Sequence, residues 1–352
     1  MRGAVRRRGR MPPVAGSPWR LTAGAGLALT AVLFLLPLLT VRGEGGGAAG
    51  ETENAPLTAT APEGQTTRAA RDRGHIVKLL QPDGTVEELT MVDYLFGVVA
   101  AEMPAAFEEE ALKAQACAAR TYTVVRQASA HAAHPQADVC TDSGCCQAYV
   151  ERQAAETRWG VSAGTYSAKI SQAVADTDGL GILYQGAPIQ AVFFSSAPGQ
   201  TADAVAVWGS QVDYLKSVSS PEGDEVPNYR SQVVLTAEEV RSRVLAAYPG
   251  ADLSGDPSGW FGQADRDAGG TVRSIPLGGV TLTGGQVRSL FALRSAAFTV
   301  AWDGSKFTFS VTGYGHGVGM SQYGANAMAK EGKSFREILT WYYTGTAVEE
   351  LW

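Results

Sequence analysis

Basic residues are scarce in most of this chain. Seven of its 29 lysines and arginines are arginines within the first 42 of 352 residues, where no acidic residue occurs. The remainder therefore carries 22 basic against 35 acidic residues. This excess of acid argues against nucleic acid as a partner, because nucleic-acid binding requires a basic face. Cysteines are scarce as well, and four are too few for a fold built on disulfides. No internal repeat is visible.

The first 74 residues predict a membrane tether. Residues 1–20 are a basic tail, and residues 21–42 are mostly apolar over a length that can span a bilayer. Because the positive flank precedes this run, we expect a single-pass anchor in the cell membrane with a cytoplasmic N-terminus. A cleaved signal peptide is the alternative. Residues 43–74, rich in Gly, Ala and Thr, predict a flexible linker, and residues 75–352 an extracytoplasmic domain.

A helix, a break and a second helix are predicted from Thr90 onward. Thr90 and Asp93 can cap the first helix, which should end at Met103 because Pro104 disfavours helical geometry in the residue before it. Glu102 then lies in the last turn, where the helix dipole and apolar neighbours disfavour negative charge. Both effects raise a carboxyl pKa, as a general acid requires. A solvated surface glutamate is the other interpretation.

Cysteine and histidine concentrate in the stretch HAAHPQADVCTDSGCCQAYV, at residues 131–150. It contains His134, Cys140, Cys145 and Cys146. Cys140 and Cys146 can form a disulfide, which an extracytoplasmic location permits. Alternatively, the thiols are isolated, or the cluster binds zinc, for which thiolate and imidazole are the usual ligands. The spacing is not that of a zinc finger, so the residues alone leave all three interpretations open.

Two further stretches suit contact with a ligand. The first, FFSSAPGQT, predicts an aromatic strand followed by a loop that offers the hydroxyls of Ser195, Ser196 and Thr201. No His–Asp pair near Ser195 supports a nucleophilic serine, and an ordinary surface loop is the alternative.

The second stretch, GYGHGVGMSQYG, contains His316 and Gln322 among glycines that permit close backbone approach. It lacks the Gly-Lys-Ser/Thr ending of a phosphate loop. His316 can position a sugar, transfer a proton, bind metal or simply pack.

These stretches together resemble the stage II sporulation protein D family. The resemblance rests on YLxGVVAAEMP followed by ALKAQAxAARTY, on the FFSSAPGQT loop and on GHGVGMSQYGA, in that order. Pro198-Gly199 stands where the family commonly has Gly-Gly. The resemblance covers most of the chain from His75 to Thr346. It implies an α+β fold, in which a helical part carrying the catalytic Glu packs on short, mostly antiparallel strands.

The resemblance implies a lytic transglycosylase that cleaves peptidoglycan between N-acetylmuramic acid and N-acetylglucosamine, with Glu102 as the catalytic acid. Such a reaction leaves a 1,6-anhydro end and needs no second carboxylate. Candidates for holding the acid or lining the glycan cleft are Lys113, Arg120, Ser195, Ser196, Thr201, His316 and Gln322. The expected partners are glycan strands stripped of peptides, a cell-wall amidase and other membrane proteins of the sporulation machinery.

The resemblance also implies a possible zinc cofactor, because some family members hold zinc near the catalytic Glu. Cys140 and Cys146 match the family pattern, Cys145 falls where a His is common, and His134 is the other candidate ligand. Two rival functions remain: a non-catalytic peptidoglycan-binding scaffold and a zinc-dependent hydrolase.

Overall fold

The computed structural model describes residues 69–129 and 132–352. The predicted tail, the anchor at 21–42 and most of the linker lie outside these residues. Within them, no helix combines the length and apolar character needed to cross a bilayer. The fold mixes helices with short strands, as expected, and starts slightly earlier than predicted. Residues assigned to the linker form a helical turn, α1 (Ala70–Arg73), in which Asp72 is buried.

The described helices and strands alternate irregularly along the chain. The other helices are α2 (Met91–Glu102), α3 (Glu109–Gln127), α4 (Arg152–Trp159), α5 (Ala163–Asp176), α6 (Ala204–Trp208), α7 (Ala237–Ala247), α8 (Gly284–Phe291), α9 (Gln322–Lys330) and α10 (Phe335–Tyr342). The strands are β1 (Ile76–Leu80), β2 (Val86–Thr90), β3 (Val139–Cys140), β4 (Leu180–Tyr184), β5 (Ala187–Pro188), β6 (Phe193–Phe194), β7 (Arg230–Thr236), β8 (Asp265–Arg266), β9 (Val272–Leu277), β10 (Val280–Thr283), β11 (Phe298–Trp302), β12 (Lys306–Thr312), β13 (Met320–Ser321) and β14 (Ala347–Glu350).

The described strands form five small sheets, with orders β2-β1-β3, β10-β9-β8, β11-β12-β7, β13-β6 and β14-β4-β5. Most neighbouring strands are antiparallel, as predicted. The parallel pairs are β1 with β3 and β13 with β6. In the second of these, Met320 pairs with Phe193 and Ser321 with Phe194. This pairing joins the two loop motifs of the sequence, which lie more than 100 residues apart.

The predicted helix, break and second helix are confirmed. The side chain of Thr90 accepts a hydrogen bond from the Asp93 N–H at the start of α2, and Met103 is extended, which ends the helix. The alanine-rich α3 is buried over most of its length, so it packs against its neighbours on several sides. Residues 170–176 form the end of α5, where Ile170, Ala173 and Val174 make up its buried face.

The apolar residues form two separate cores. The first joins α2, α3, α5 and the last two helices. The second lies between β7 and β12, where α7 and α8 pack against two small sheets around Phe291, Phe307 and Phe309. Residues 230–312 therefore form a compact subdomain, inserted between the two loop motifs.

Candidate active site

Glu102 is the residue around which the candidate site is built. It lies at the end of α2 and is only partly exposed. Its Oε1 accepts a hydrogen bond from the Ala148 N–H at 2.7 Å, and its Oε2 accepts one from Gln322 Nε2 at 3.2 Å. Burial raises the pKa of Glu102 above its usual value, although both hydrogen bonds oppose the rise. The carboxyl is thus biased towards the protonated form that a general acid needs.

A glycine in α2 allows the segment that carries Ala148 to reach Glu102. A Cβ on Gly97 would lie 2.2 Å from the Tyr149 ring, and the Val150 N–H donates to the Gly97 carbonyl at 3.3 Å. This contact places residues 148–150 directly against α2. The backbone of Ala148 is then aimed at a carboxyl one and a half helical turns further along.

Gln322 is held at the start of α9 by the strand pair described above. Ser321 caps the helix by accepting from the Gly324 N–H. A Cβ on Gly319 would lie 2.1 Å from the Val192 carbonyl oxygen, and this glycine has φ +79°. The glycines of this motif therefore serve the close approach of β13 to β6. Gln322, which was expected to line the glycan cleft, contacts the candidate acid directly.

The serine and threonine loop is less available than predicted. Ser196 and Thr201 are buried, and the Thr201 hydroxyl accepts from the Val218 N–H at 2.9 Å. Ser195 alone of the three is half-buried. Sequence reasoning missed Glu222, a buried carboxylate that accepts from the Ala197 N–H at 2.6 Å and from the Ser321 hydroxyl. It joins the loop to the cap of α9, and no local pattern in the sequence signals this role.

His316 lies in a position that excludes most of its predicted roles. Its Nε2 donates to the Phe193 carbonyl at 2.9 Å, and its Nδ1 accepts from the Val318 N–H at 3.2 Å. Burial, aided by the nearby Arg288 charge, lowers the pKa of His316 to about 4. With both nitrogens bonded and the ring neutral, His316 holds the loop in place. It is available neither to bind metal nor to transfer a proton.

The two basic residues predicted on the second helix do not contact the acid. Arg120 is fully buried and donates to Asp72, with a shortest distance of 2.6 Å, and to the Leu180 carbonyl. Lys113 pairs with Glu110 at 2.9 Å and with Asp176 at 3.1 Å. The expectation that Arg120 binds substrate is therefore wrong, because its guanidinium is consumed by the core. The charge of Lys113 is likewise neutralised by the carboxylates of Glu110 and Asp176.

The cysteine and histidine cluster is assembled in three dimensions. The ligand atoms of His134, Cys140, Cys145 and Cys146 all lie within 4.8 Å of one another. The cysteines are free thiols, so the disulfide interpretation is not supported. His134 Nε2 lies 3.3 Å from Cys146 Sγ, which lies 3.9 Å from Cys145 Sγ. A tetrahedral zinc site has edges of about 3.5–3.8 Å, and these two separations lie close to that range.

The orientation of His134 also suits a metal ligand. Its Nδ1 lies 3.2 Å from the Ala137 carbonyl and donates to it. The lone pair of Nε2 then faces the thiols, which is the arrangement that second-shell hydrogen bonds give to ligating histidines. Burial opposes ionisation of Cys146, yet a hydrogen bond from the Cys140 backbone lowers the pKa of its thiol. Ala148, the donor to Glu102, follows two residues after this cluster.

Two cavities in the described chain lie away from the candidate acid. A cavity of about 490 Å³ is lined by residues that include Ser220, Met328 and Trp341, and one of about 180 Å³ by residues near Asp203 and Leu215. Neither includes Glu102 or Gln322. The candidate site therefore rests on the contacts of Glu102 and not on these cavities.

Comparison with known proteins identifies the family. Residues 82–184 match the family model described as stage II sporulation protein, SpoIID. The chain is 37% identical over 328 residues to stage II sporulation protein D of Bacillus subtilis (strain 168), covering 92% of this chain and 94% of that protein. The chain belongs to the stage II sporulation protein D family. The resemblance predicted from the sequence motifs is thus confirmed.

Two further relatives of this stage II sporulation protein D family member are similar over most of its length. The family's protein from Bacillus amyloliquefaciens is 38% identical over 267 residues, covering 76% of each chain. The amidase enhancer of Bacillus subtilis (strain 168) is 27% identical over 304 residues, covering 72% of this chain and 40% of that protein. The range matched by the family model includes both Glu102 and the cysteine and histidine cluster.

Proposed function

We propose that this protein is a lytic transglycosylase that cleaves peptidoglycan glycan strands with Glu102 as its single acid and base. The observation that carries the proposal is the environment of the Glu102 carboxyl. It is desolvated, its pKa is raised, and it is held by two donors from distant parts of the chain. Among the residues described, no other acidic side chain contributes to its pKa.

The reaction follows from that environment. Glu102 starts protonated and donates its proton to the glycosidic oxygen, as the bond between that oxygen and C1 of N-acetylmuramic acid breaks. The carboxylate then accepts the proton of the 6-hydroxyl of the same sugar, whose oxygen bonds to C1. Glu102 thus regains in the second step the proton that it gave up in the first. No water is consumed and no second carboxylate is required, in contrast to glycoside hydrolysis. The Ala148 N–H and Gln322 stabilise the carboxylate between the two transfers.

Mass analysis of the products from peptide-free glycan strands tests this function. We expect fragments ending in 1,6-anhydro-N-acetylmuramic acid, each lighter by one water than a hydrolysis product. Fragments with ordinary reducing ends would instead support a hydrolase. Binding of the strands without cleavage would support a scaffold.

We further propose that the enzyme acts on the cell wall during sporulation, from the outer side of the cell membrane and together with an amidase. Two relatives are named for stage II of sporulation and a third as an amidase enhancer. The predicted anchor and linker would tether the domain within reach of the wall.

We propose in addition that His134, Cys140, Cys145 and Cys146 hold a structural zinc ion. Three thiolates and one imidazole are ligands typical of structural zinc sites. Zinc would crosslink residues 134–146 and so fix the nearby Ala148 N–H that donates to Glu102. The metal takes no part in the reaction.

Metal analysis of the purified protein tests this site. We expect about one zinc per chain and a lower melting temperature after chelation, since a structural metal adds to folding stability. Cys146→Ser should lose the metal, whereas Cys117→Ser, which alters a buried thiol outside the cluster, should keep it. Full metal content in Cys146→Ser would contradict the assignment.

A further inference from the structure

Arg294 carries a positive charge that nothing in the described chain neutralises. It lies in the subdomain formed by residues 230–312, between α8 and β11. Its carbonyl accepts from the Gly315 N–H at 2.9 Å and from Arg288 Nε at 3.1 Å, which fixes its backbone against the GYGHG loop. Its guanidinium carbon lies 4.1 Å from the centre of the Tyr314 ring. Within residues 69–129 and 132–352, its side chain makes no hydrogen bond or salt bridge, and its Nε is buried without a partner.

An unsatisfied buried donor costs free energy, and it is costlier when the group is charged. Arg120, by contrast, has its guanidinium bonded to Asp72 and to the Leu180 carbonyl. The guanidinium of Arg294 is held by stacking on Tyr314, and its two terminal nitrogens, which are not buried, have no partner in the described residues and remain for a ligand. A planar guanidinium suits a carboxylate, which it can bind through two parallel hydrogen bonds.

Arg294 is linked to the candidate acid through the two loop motifs. Tyr314, on which its guanidinium stacks, forms a β-bridge with Ser196, and the Arg294 charge opposes the burial that raises the pKa of Tyr323. Tyr323 directly follows Gln322, which donates to Glu102, and the Tyr323 N–H donates to the Ser195 carbonyl at 3.0 Å. A connected series of residues therefore runs from the acid through α9 to the guanidinium.

Two exposed aromatic rings, Tyr314 beside Arg294 and Trp208 beside His316, can stack on sugars. Tyr314 is 38% exposed and Trp208 is 47% exposed, although both are large apolar groups. The Trp208 ring lies 5.7 Å from His316, two residues beyond Tyr314. Exposed aromatic faces beside a charged group suit a ligand with both apolar ring faces and an anionic substituent.

We propose that Arg294 binds the free lactyl carboxylate of an N-acetylmuramic acid residue, with Tyr314 stacking on the sugar. This inference rests on the proposed function, because it assumes that the ligand is a peptidoglycan strand. In such a strand the lactyl group is a neutral amide wherever a stem peptide is attached. It becomes a carboxylate only where the peptide has been removed. Arg294 thus makes the enzyme select glycan that an amidase has already processed.

Binding measured by calorimetry tests the inference. The full chain carrying Glu102→Gln, which prevents turnover, is titrated with peptide-free strands and with the same strands after the lactyl carboxylates are converted to methylamides. We expect at least about tenfold weaker binding of the amidated strands, since a charge-assisted hydrogen bond is lost. Adding Arg294→Gln should weaken binding of the free strands by a similar factor and leave binding of the amidated strands unchanged. Arg273→Gln, an exposed arginine of the same subdomain, should change neither.

The outcomes separate this inference from the function on which it rests. Equal binding of free and amidated strands by the Glu102→Gln protein overturns the role of Arg294 and leaves the proposed function standing. Equal binding of peptide-free and peptide-bearing strands overturns the role of Arg294 as well. Arg294 would then bind a carboxylate of the peptide or no carboxylate at all. Binding of no strand overturns both. The comparison of the two strands needs no substitution at Arg294, so it holds even if Arg294→Gln misfolds.

Discussion

Replacing Glu102 with Gln will abolish cleavage of peptide-free glycan strands. Gln keeps the size of the side chain, and its oxygen can still accept from the Ala148 N–H. It carries no transferable proton, so neither protonation of the leaving oxygen nor deprotonation of the 6-hydroxyl can occur. General acid–base catalysis contributes about 10²- to 10⁴-fold, and one residue here serves both steps. We therefore expect a loss of at least about 10³-fold in the rate of anhydro-end formation, measured by mass analysis.

Glu109→Gln is the matched control. Glu109 is exposed in the first turn of α3, so the same change of charge there should leave the rate unaffected. Glu102→Gln should also fold as well as the wild type. Burial raises the Glu102 pKa, so the ionised carboxylate costs stability above that pKa, and a neutral amide does not. Cleavage at the wild-type rate by Glu102→Gln would contradict the mechanism. The melting temperature of the variant is measured alongside, so that a loss of activity is attributed to the missing proton only when the variant melts at the wild-type temperature.

The same environment sets the pH dependence of the wild type. Glu102 must be protonated to start the reaction, so the rate should fall as pH rises through its folded-state pKa. Since burial places that pKa above the ordinary value of 4.5, activity should persist to a higher pH than an exposed glutamate would allow.

Local sequence signals predicted the position of Glu102 but not its partners. The Thr90 cap and the break at Pro104 depend on residues within a few positions of one another, so they can be recognised directly. The donors to Glu102 lie 46 and 220 residues away in sequence. Their approach depends on how α2, the 148–150 segment and β13 pack. The sequence motifs suggested that Gln322 belongs to the site, and packing determined what it contacts.

The errors in the prediction have the same origin. Arg120 and His316 are polar residues in motifs that resemble an active site, and polarity alone does not distinguish a core partner from a ligand. Asp72, which neutralises Arg120, lies in a stretch whose composition resembles a linker. Arg294 shows the converse case, because nothing nearby in the sequence marks it, and its significance comes from the absence of a partner among the described residues.

The second large effect is expected on stability, from Arg120→Met. Arg120 and Asp72 are both fully buried and bonded to each other. Removing one partner of such a pair leaves an uncompensated charge in the core and costs about 3–5 kcal/mol. We expect a loss of this size in the free energy of unfolding, measured by urea denaturation. Arg230→Met is the control, since it breaks an exposed pair with Asp224 and should change stability little.

The pH dependence of that loss identifies its cause. Burial already raises the Asp72 pKa, and the Arg120 charge opposes the rise. Without Arg120, the folded-state pKa of Asp72 rises further, so acidification can neutralise the stranded carboxylate inside the fold. The deficit of Arg120→Met should therefore be largest at neutral pH and shrink as pH falls through that pKa. Asp72→Asn added to Arg120→Met should recover part of the stability at neutral pH for the same reason. A deficit that stays constant with pH would instead show that lost packing around the Arg120 side chain, and not the buried charge, sets the cost.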